Sequence, residues 1–330
     1  MVNGYQVSQA LHVAATLGIA DHLASGSLTA AELAEASNAH PGALSRLLHA
    51  LATIGVLIEH DGRYALTELG NALRSDTPGS VAGWARLVGR PYYWQAWSGL
   101  LHSIRTGDNA FAATHGTSVW QYRSVRPAEL AISDAAMTAL SGAVTRAVAE
   151  AYDFSRFTTV VDVGGGHGGL LAAVLRRHPT VRGVLFDRPE VVAGAGEVLD
   201  PAGVAERVTR VAGDFFSALP EGGDAYVLTA LIHDWPDTES VAILRACRQV
   251  VPDSGVVLLV ERLLDQGPDP ARTAFSDLNM LVAPGGQERT LDEYRALLAR
   301  AGLTLRSAVP TGTDVFVLEA SPGPIPERLP

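Results

Sequence analysis

The sequence predicts an α/β fold: a mostly parallel sheet with helices on both faces in the C-terminal half, closed by a terminal antiparallel hairpin and preceded by a mostly helical, winged-helix-like N-terminal domain. Three observations carry this. From Phe157 onward, short apolar runs alternate with helical stretches, the pattern of a doubly wound sheet. The first run opens into a glycine-rich turn, VVDVGGGHGG at residues 160–169, of the kind that lets backbone approach a ligand closely. Residues 5–75 read as short helices ending in a hairpin. At 330 residues and 47% apolar content the chain suits two domains of ordinary size with a sizeable core. The expected division is 1–80 for the winged-helix-like domain, 81–151 for a helical connector and substrate-pocket region, 152–322 for the α/β domain and 323–330 for a tail.

In chain order, LTAAELAEAS makes Thr29 a helix cap with Glu32 three residues on, a capping box, and PGALSRLLHALATIGVL carries apolar residues at three- and four-residue spacing. LIEHDGRYALTELG then sets an Asp61-Gly62 turn between two alternating runs, a hairpin signal. Helix, turn, helix and wing raise DNA binding as a reading. Charge counts against it: three arginines against seven acids leave residues 1–80 at −4, the wrong sign for a phosphate-binding module, and the apolar helices suit a dimerisation or substrate-lid module instead. Residues 80–151 read as mainly helical and hold four of the five tryptophans, Trp84, Trp94, Trp97 and Trp120. Ordinary packing accounts for any one of them; flat side chains so concentrated could also line a pocket for a flat ligand. Beyond, TTVVDVG, VRGVLFD, RVTRVAG, GDAYVLTA and SGVVLLVE read as strands, with LLAAVLRRH, EVVAGAGEVL and SVAILRACRQVV as the helices between them. LDEYRALLARAG is a further helix, and LTLRSAVP and DVFVLEAS, joined through Gly312 and Asp314, form the terminal hairpin.

Every one of the 25 basic residues is arginine, which excludes lysine Schiff bases, pyridoxal phosphate linkage and a Walker lysine. The single cysteine, Cys247, cannot build a disulfide framework or a Cys-rich zinc site, and no metal is expected. The start has no basic n-region or cleavage signal and no apolar run reaches about 18 residues, so a cytoplasmic protein with no membrane partner is expected. A net charge of −10 disfavours nucleic acid as a partner.

Gly164, Gly166 and Gly169 satisfy the dinucleotide pattern G-x-G-x-x-G, and Asp187 stands about 20 residues on, where a ribose-binding acid belongs. Two features point away from a nicotinamide dehydrogenase. Three acids, Asp162, Asp187 and Asp214, fall at successive strand ends where a dinucleotide needs one, and no basic residue follows the glycines closely. The terminal hairpin also departs from the parallel sixth strand of dinucleotide folds.

Taken in order, DVGGGHG, FD, GDFF, IHDWPD and PGGQERT resemble the motifs of the S-adenosylmethionine-dependent small-molecule O-methyltransferases, over nearly the whole chain. Among these the chain is similar to bacterial enzymes of aromatic and polyketide natural-product tailoring, related to the plant caffeate and hydroxyindole types. The resemblance implies a Rossmann-like methyltransferase sheet, a winged-helix dimerisation domain making a homodimer, S-adenosylmethionine as cofactor and S-adenosylhomocysteine as its product. It implies that Gly164 and Gly166 face the cofactor's methionine part, that Asp187 holds the ribose hydroxyls, and that Asp214 and Phe215 flank the adenine; Asp162, at the end of the first strand, is a further cofactor-binding candidate. Met137 and Ser141 match further cofactor contacts, and Thr229 stands where plant members have lysine.

Methyl transfer to a phenol needs acceptor, methyl and sulfur in line and a base for the proton. His233, just past the fourth strand, is the histidine placed for that work, and the other nine lack a motif around them or sit in the glycine turn. An imidazole base needs a partner that fixes its tautomer; Glu261, ending the fifth strand, and Glu288, in QERT, match the glutamates that flank the family's histidine. Asp234 could equally cap the following helix. Expected pocket walls are Trp94, Trp97, Phe111, Trp120, Met137, Asn279, Met280 and Val282, with Asn279 the polar one. The expected function is O-methylation of a hydroxyl on an aromatic or polyketide-type secondary metabolite. The alternative on the same fold keeps the cofactor as an electrostatic element for hydroxylation, decarboxylation or a pericyclic step.

Overall fold

The computed structural model describes residues 2–77 and 79–323, which fall into two compact units, residues 1–98 with 120–143 and residues 99–119 with 144–330. In the first unit the capping box forms: the Thr29 hydroxyl accepts from the Glu32 amide at 3.2 Å and the Glu32 carboxylate from the Thr29 amide at 2.7 Å, starting the helix Ala30–Ala36. The helix Pro41–Thr53 buries Leu44, Leu48 and Leu51, one stripe at helical spacing. A small sheet carries β1 (Leu28–Thr29), β2 (Leu57–His60) and β3 (Arg63–Leu66), with β3 paired antiparallel to both others. Between β2 and β3, Asp61 and Gly62 take φ values of 50° and 70°, the two left-handed residues that a type I′ hairpin turn requires.

The second unit is built on a seven-stranded sheet. Its parallel part is β4 (Thr159–Val163), β5 (Arg182–Asp187), β6 (Val208–Ala212), β7 (Ala225–Thr229) and β8 (Val256–Arg262), in the spatial order β6-β5-β4-β7-β8. β9 (Leu303–Pro310) and β10 (Val315–Pro322) complete it: β10 lies between β8 and β9, antiparallel to each. Both faces are covered, which is why these strands read as continuous apolar runs. On one face Val161, Val163, Tyr226, Leu228, Val257 and Leu259 pack with residues of the helices Asp237–Val250 and Leu291–Arg300. On the other, Val160, Val227, Leu258 and Val260 pack with the helix Gly169–Arg177. The strand period of two then assigns the polar residues: Asp162 shares a face with Val160, and Glu261 one with Val257 and Leu259.

One element differs from its sequence pattern. EVVAGAGEVL is two short helices, Pro189–Ala193 and Gly196–Leu199, rather than one; Gly194 and Gly196 each weaken a helix interior by about 1 kcal/mol relative to alanine. Among the described residues, no helix is long and apolar enough to cross a membrane.

Candidate active site

The C-terminal end of β4 runs into a turn in which Gly164, Gly166 and Gly168 have φ values of 67°, 59° and 84°. Gly165 is required for a different reason: a Cβ there would meet the Asp162 Cγ at 2.5 Å and Leu185 at 2.6 Å. The turn therefore lies directly on the Asp162 side chain. Asp162 is 1% exposed and neither carboxylate oxygen has a hydrogen-bond partner. Burial, aided by the Asp187 charge, pushes its pKa up to about 7. Asp187, at the end of β5, accepts from the amides of Gly166 at 2.8 Å and Arg188 at 2.7 Å; burial lifts its pKa above the ordinary carboxylate value despite those donors. Asp214 and Phe215 follow β6. The Asp214 carboxylate accepts from the Phe216 amide at 2.9 Å, and the Phe215 ring stands edge-on to Trp235 at 5.9 Å. The Thr229 hydroxyl ends β7 without a hydrogen-bond partner.

These groups fit an S-adenosyl nucleoside. The Cβ position of Gly166 is open, which leaves room for close approach over the turn, and the carboxylate of Asp187 is fixed by backbone where ribose hydroxyls can reach it. Under the turn, the Asp162 carboxylate has both oxygens unpartnered, an acceptor that suits a cationic group better than a phosphate.

Past β7 the chain makes an abrupt corner. Ala230 takes a left-handed φ of 48°, a conformation that costs a non-glycine residue of order 1 kcal/mol or more, while its amide donates to Val260 at 2.9 Å. The corner lays Leu231 over Gly164, 3.0 Å from that glycine's Cβ position, and brings His233 to the end of β8. There His233 Nδ1 lies 3.2 Å from a Glu261 oxygen and 3.3 Å from a Glu288 oxygen. Both carboxylates make ion-pair contacts with this one ring nitrogen. Glu261 and Glu288 have fully buried side chains and His233 is 9% exposed. Burial alone would lower the imidazole pKa, but the charges of Glu261 and Glu288 reverse this and push it up to about 10.

Each glutamate is anchored through its other oxygen. Glu261 Oε1 accepts from the amides of Leu231 at 3.2 Å and Ile232 at 2.8 Å. Glu288 Oε1 accepts from the Ser276 hydroxyl at 2.7 Å, and the Glu288 amide donates to Asp277 at 2.9 Å. The loop carrying Glu288 reaches this place because Gly286 rests on the histidine's own backbone: a Cβ there would fall 2.0 Å from the His233 carbonyl oxygen. The buried Arg289 guanidinium bonds the carbonyls of Ile232 at 3.3 Å and Trp235 at 3.0 Å, on either side of His233, and pairs with Asp237 at 2.9 Å.

The structure thus brings His233, Glu261 and Glu288 together, and Asp162, Gly164, Gly166 and Asp187 around one turn. Asp234 does not cap the following helix, as the sequence allowed; that helix, Asp237–Val250, has Pro236 at its cap with no side-chain bond, and Asp234 lies 3.7 Å from His233 Nε2. Of the expected pocket walls, Phe111, Val282 and Met280 are buried in the second unit, and Phe111 packs its ring 4.5 Å from His115. Asn279 shares the helix Pro270–Val282 with Met280. Trp94, Trp97, Trp120, Met137 and Ser141 belong to the first unit; Met137 is 44% exposed, and the Ser141 hydroxyl bonds its own helix at Thr138. Sequence reasoning missed Ser276, Arg262 and Arg289. Ser276 stands one helical turn before Asn279, and Arg289 follows Glu288 in QERT, the two cues that could have found them.

A parallel sheet with one reversed strand, β10, between β8 and β9, a glycine turn over a strand-end acid and a buried histidine at the next strand end define a class I methyltransferase fold with a nucleoside site. Comparison with known proteins agrees: the O-methyltransferase domain matches residues 97–304 and the O-methyltransferase dimerisation domain matches residues 1–76. The chain belongs to the O-methyltransferase family and is an S-adenosylmethionine-dependent enzyme. It is 43% identical to phenazine O-methyltransferase of Lysobacter antibioticus, over 98% of this chain and 94% of that protein. An O-methyltransferase from neocarzinostatin biosynthesis, solved with S-adenosylmethionine and 2-hydroxy-5-methyl naphthoic acid, superposes with a TM-score of 0.83 at 37% identity, covering 96% of each chain. Aclacinomycin 10-hydroxylase of Streptomyces purpurascens is 38% identical over 94% of this chain and 85% of its own length.

Proposed function

We propose that the protein methylates a phenolic hydroxyl of an aromatic or polyketide-type secondary metabolite, working as a homodimer through residues 1–76, with His233 as the general base. The observation that carries this reading is the buried His233–Glu261–Glu288 cluster, whose three facing atoms lie within 4.8 Å of one another. When bound, S-adenosylmethionine supplies an electrophilic methyl group for in-line displacement. Asp187, Gly164 and Gly166 hold the nucleoside, and Asp162 contributes the acceptor beneath it. Two carboxylates at Nδ1 fix the neutral ring as the Nδ1–H tautomer, leaving the Nε2 lone pair to accept the acceptor's proton. A phenol has a pKa near 10 and the His233 imidazolium one of about 10, so the proton passes between groups of matched affinity while Glu261 and Glu288 stabilise the imidazolium. In support, the Lysobacter relative is named for phenazine, an aromatic ring system, and the neocarzinostatin-biosynthesis enzyme is solved with a naphthoic acid.

His233→Ala tests the base. Turnover of a phenolic acceptor falls by about 10²–10⁴-fold while calorimetric binding of S-adenosylhomocysteine persists; an unchanged rate removes His233 from the role. A second reading, a non-methylating reaction on the same site, is favoured by the likeness to aclacinomycin 10-hydroxylase. Methyl-labelled S-adenosylmethionine separates the two: label in the product supports methyl transfer, and product formed without label supports the other.

A further inference from the structure

Glu261 and Glu288 face the same nitrogen but are held differently. Glu261 has only backbone amides on its second oxygen. Glu288 has the Ser276 hydroxyl and, at 3.7 Å, the guanidinium of Arg262. Arg262 ends β8 and pairs in register with Val315 at the start of β10, which places it beside Asp314 in the turn between β9 and β10. Its Nε donates to Asp314 at 2.8 Å, and Arg272 from the helix Pro270–Val282 approaches the same carboxylate oxygen at 3.3 Å. Two guanidiniums therefore share one carboxylate. The surplus positive charge is turned toward Glu288, whose side chain is fully buried, from an arginine that is itself only 20% exposed.

We propose that Arg262 is a positioning residue for the methyl-transfer site: anchored by Asp314 of the terminal hairpin, it holds the Glu288 carboxylate in place with one oxygen aimed at His233. The arrangement explains why the two glutamates differ. Burial raises both, yet Glu288 is drawn below the ordinary value by His233, Ser276 and Arg262, whereas Glu261 stays pushed up to about 7. The groups facing Glu288 are His233, Glu261 and Arg262, Ser276 and Asp277 from the helix Pro270–Val282, and Tyr294 from the helix Leu291–Arg300. Of the cations that act on its carboxylate, Arg262 is the one whose charge does not change with pH.

The test follows the His233 ring by NMR of histidine-labelled protein, assigned with His233→Ala, in the full chain and in Arg262→Met, Arg262→Lys and Asp314→Asn. The sign of the change decides. If Arg262 holds Glu288 in place, its loss lets the carboxylate withdraw and the His233 pKa falls, by about one unit, the scale of a lost opposite charge. Arg262→Lys retains most of the value, and Asp314→Asn moves it in the same direction by less. Were Arg262 only a distant charge, removing it would leave the imidazolium less repelled and the pKa would rise; a rise, or no change, overturns the proposal. Unchanged affinity for S-adenosylhomocysteine in each variant shows that the sheet is intact, and if Arg262→Met does not fold, the sign of the shift in Asp314→Asn decides in its place. This inference rests on His233 as the working base for its consequence, but its readout does not: a normal turnover in His233→Ala would refute the base and leave the Arg262 result to stand or fall alone.

Discussion

Replacing Asp162 by asparagine exposes the cost of the cofactor site. The carboxylate is 1% exposed with no partner on either oxygen, and its pKa in the folded protein is about 7 against an ordinary 3.8. In the folded protein this acid binds its proton more tightly than in the unfolded chain. Stability therefore falls as pH rises from 3.8 to about 7 and the loss is complete above that window. At 1.36 kcal/mol per unit, roughly three units amount to about 4 kcal/mol. Asparagine removes the charge, and its unsatisfied amide replaces an equally unpartnered neutral carboxyl, so the ligand-free variant gains up to about 4 kcal/mol above neutral pH. For a unit of this size that raises the melting temperature by about 2–4 °C per kcal/mol. Thermal melts of both proteins without ligand, from pH 4 to pH 8, should show the two together at the acid end and the variant pulling ahead as pH rises. The same variant should lose affinity for S-adenosylmethionine more than for the uncharged-sulfur product. A variant that melts below the parent at pH 8, or a gap independent of pH, would refute the reasoning.

Other outcomes are equally specific. Because the His233 imidazolium releases its proton at about 10 rather than 6.5, turnover of a phenol should keep rising from pH 7 toward pH 10, tested by a kcat–pH profile; a plateau already reached at pH 7 would mean that the glutamates do not hold the proton. Gly286→Ala puts a methyl 2.0 Å from the His233 carbonyl oxygen and 2.4 Å from the Asp234 carbonyl carbon. Backbone must move, and a displacement of about 1 Å at the base costs on the order of 10²-fold in kcat, with S-adenosylhomocysteine binding retained in calorimetry.

What the sequence disclosed was whatever is local. The Thr29–Glu32 capping box, the Asp61-Gly62 turn and the parallel strand runs are each specified by neighbours within a few residues, and each forms. The strand-end rule brought out Asp187 and His233 because β-strand ends in such sheets converge on one edge. The anchoring of the glutamates was not legible: Arg262 and Asp314 meet only through the tertiary register of Arg262 with Val315, and Ser276 reaches Glu288 from a separate helix. Gly286 was visible in PGGQERT, but its reason, a backbone lying against the residue it serves, is a contact between segments about 50 positions apart. For Asp234, helix-start chemistry suggested a cap; Pro236 takes that position, and the cap has no side chain to offer.

The place of β10 bears on how the molecule is made as much as on how it works. Six residues of β8, from Val257 to Arg262, pair with β10, which arrives only after two intervening helices and β9. Until then β8 presents the edge of a Val-Val-Leu-Leu-Val run to solvent, a flat, apolar, unpaired edge of the kind that recruits other chains. Refolding at high protein concentration should therefore lose material to aggregation in proportion to how slowly β10 enters its slot. Substitutions that weaken the β9–β10 turn would lower soluble yield before they lower the stability of the finished sheet.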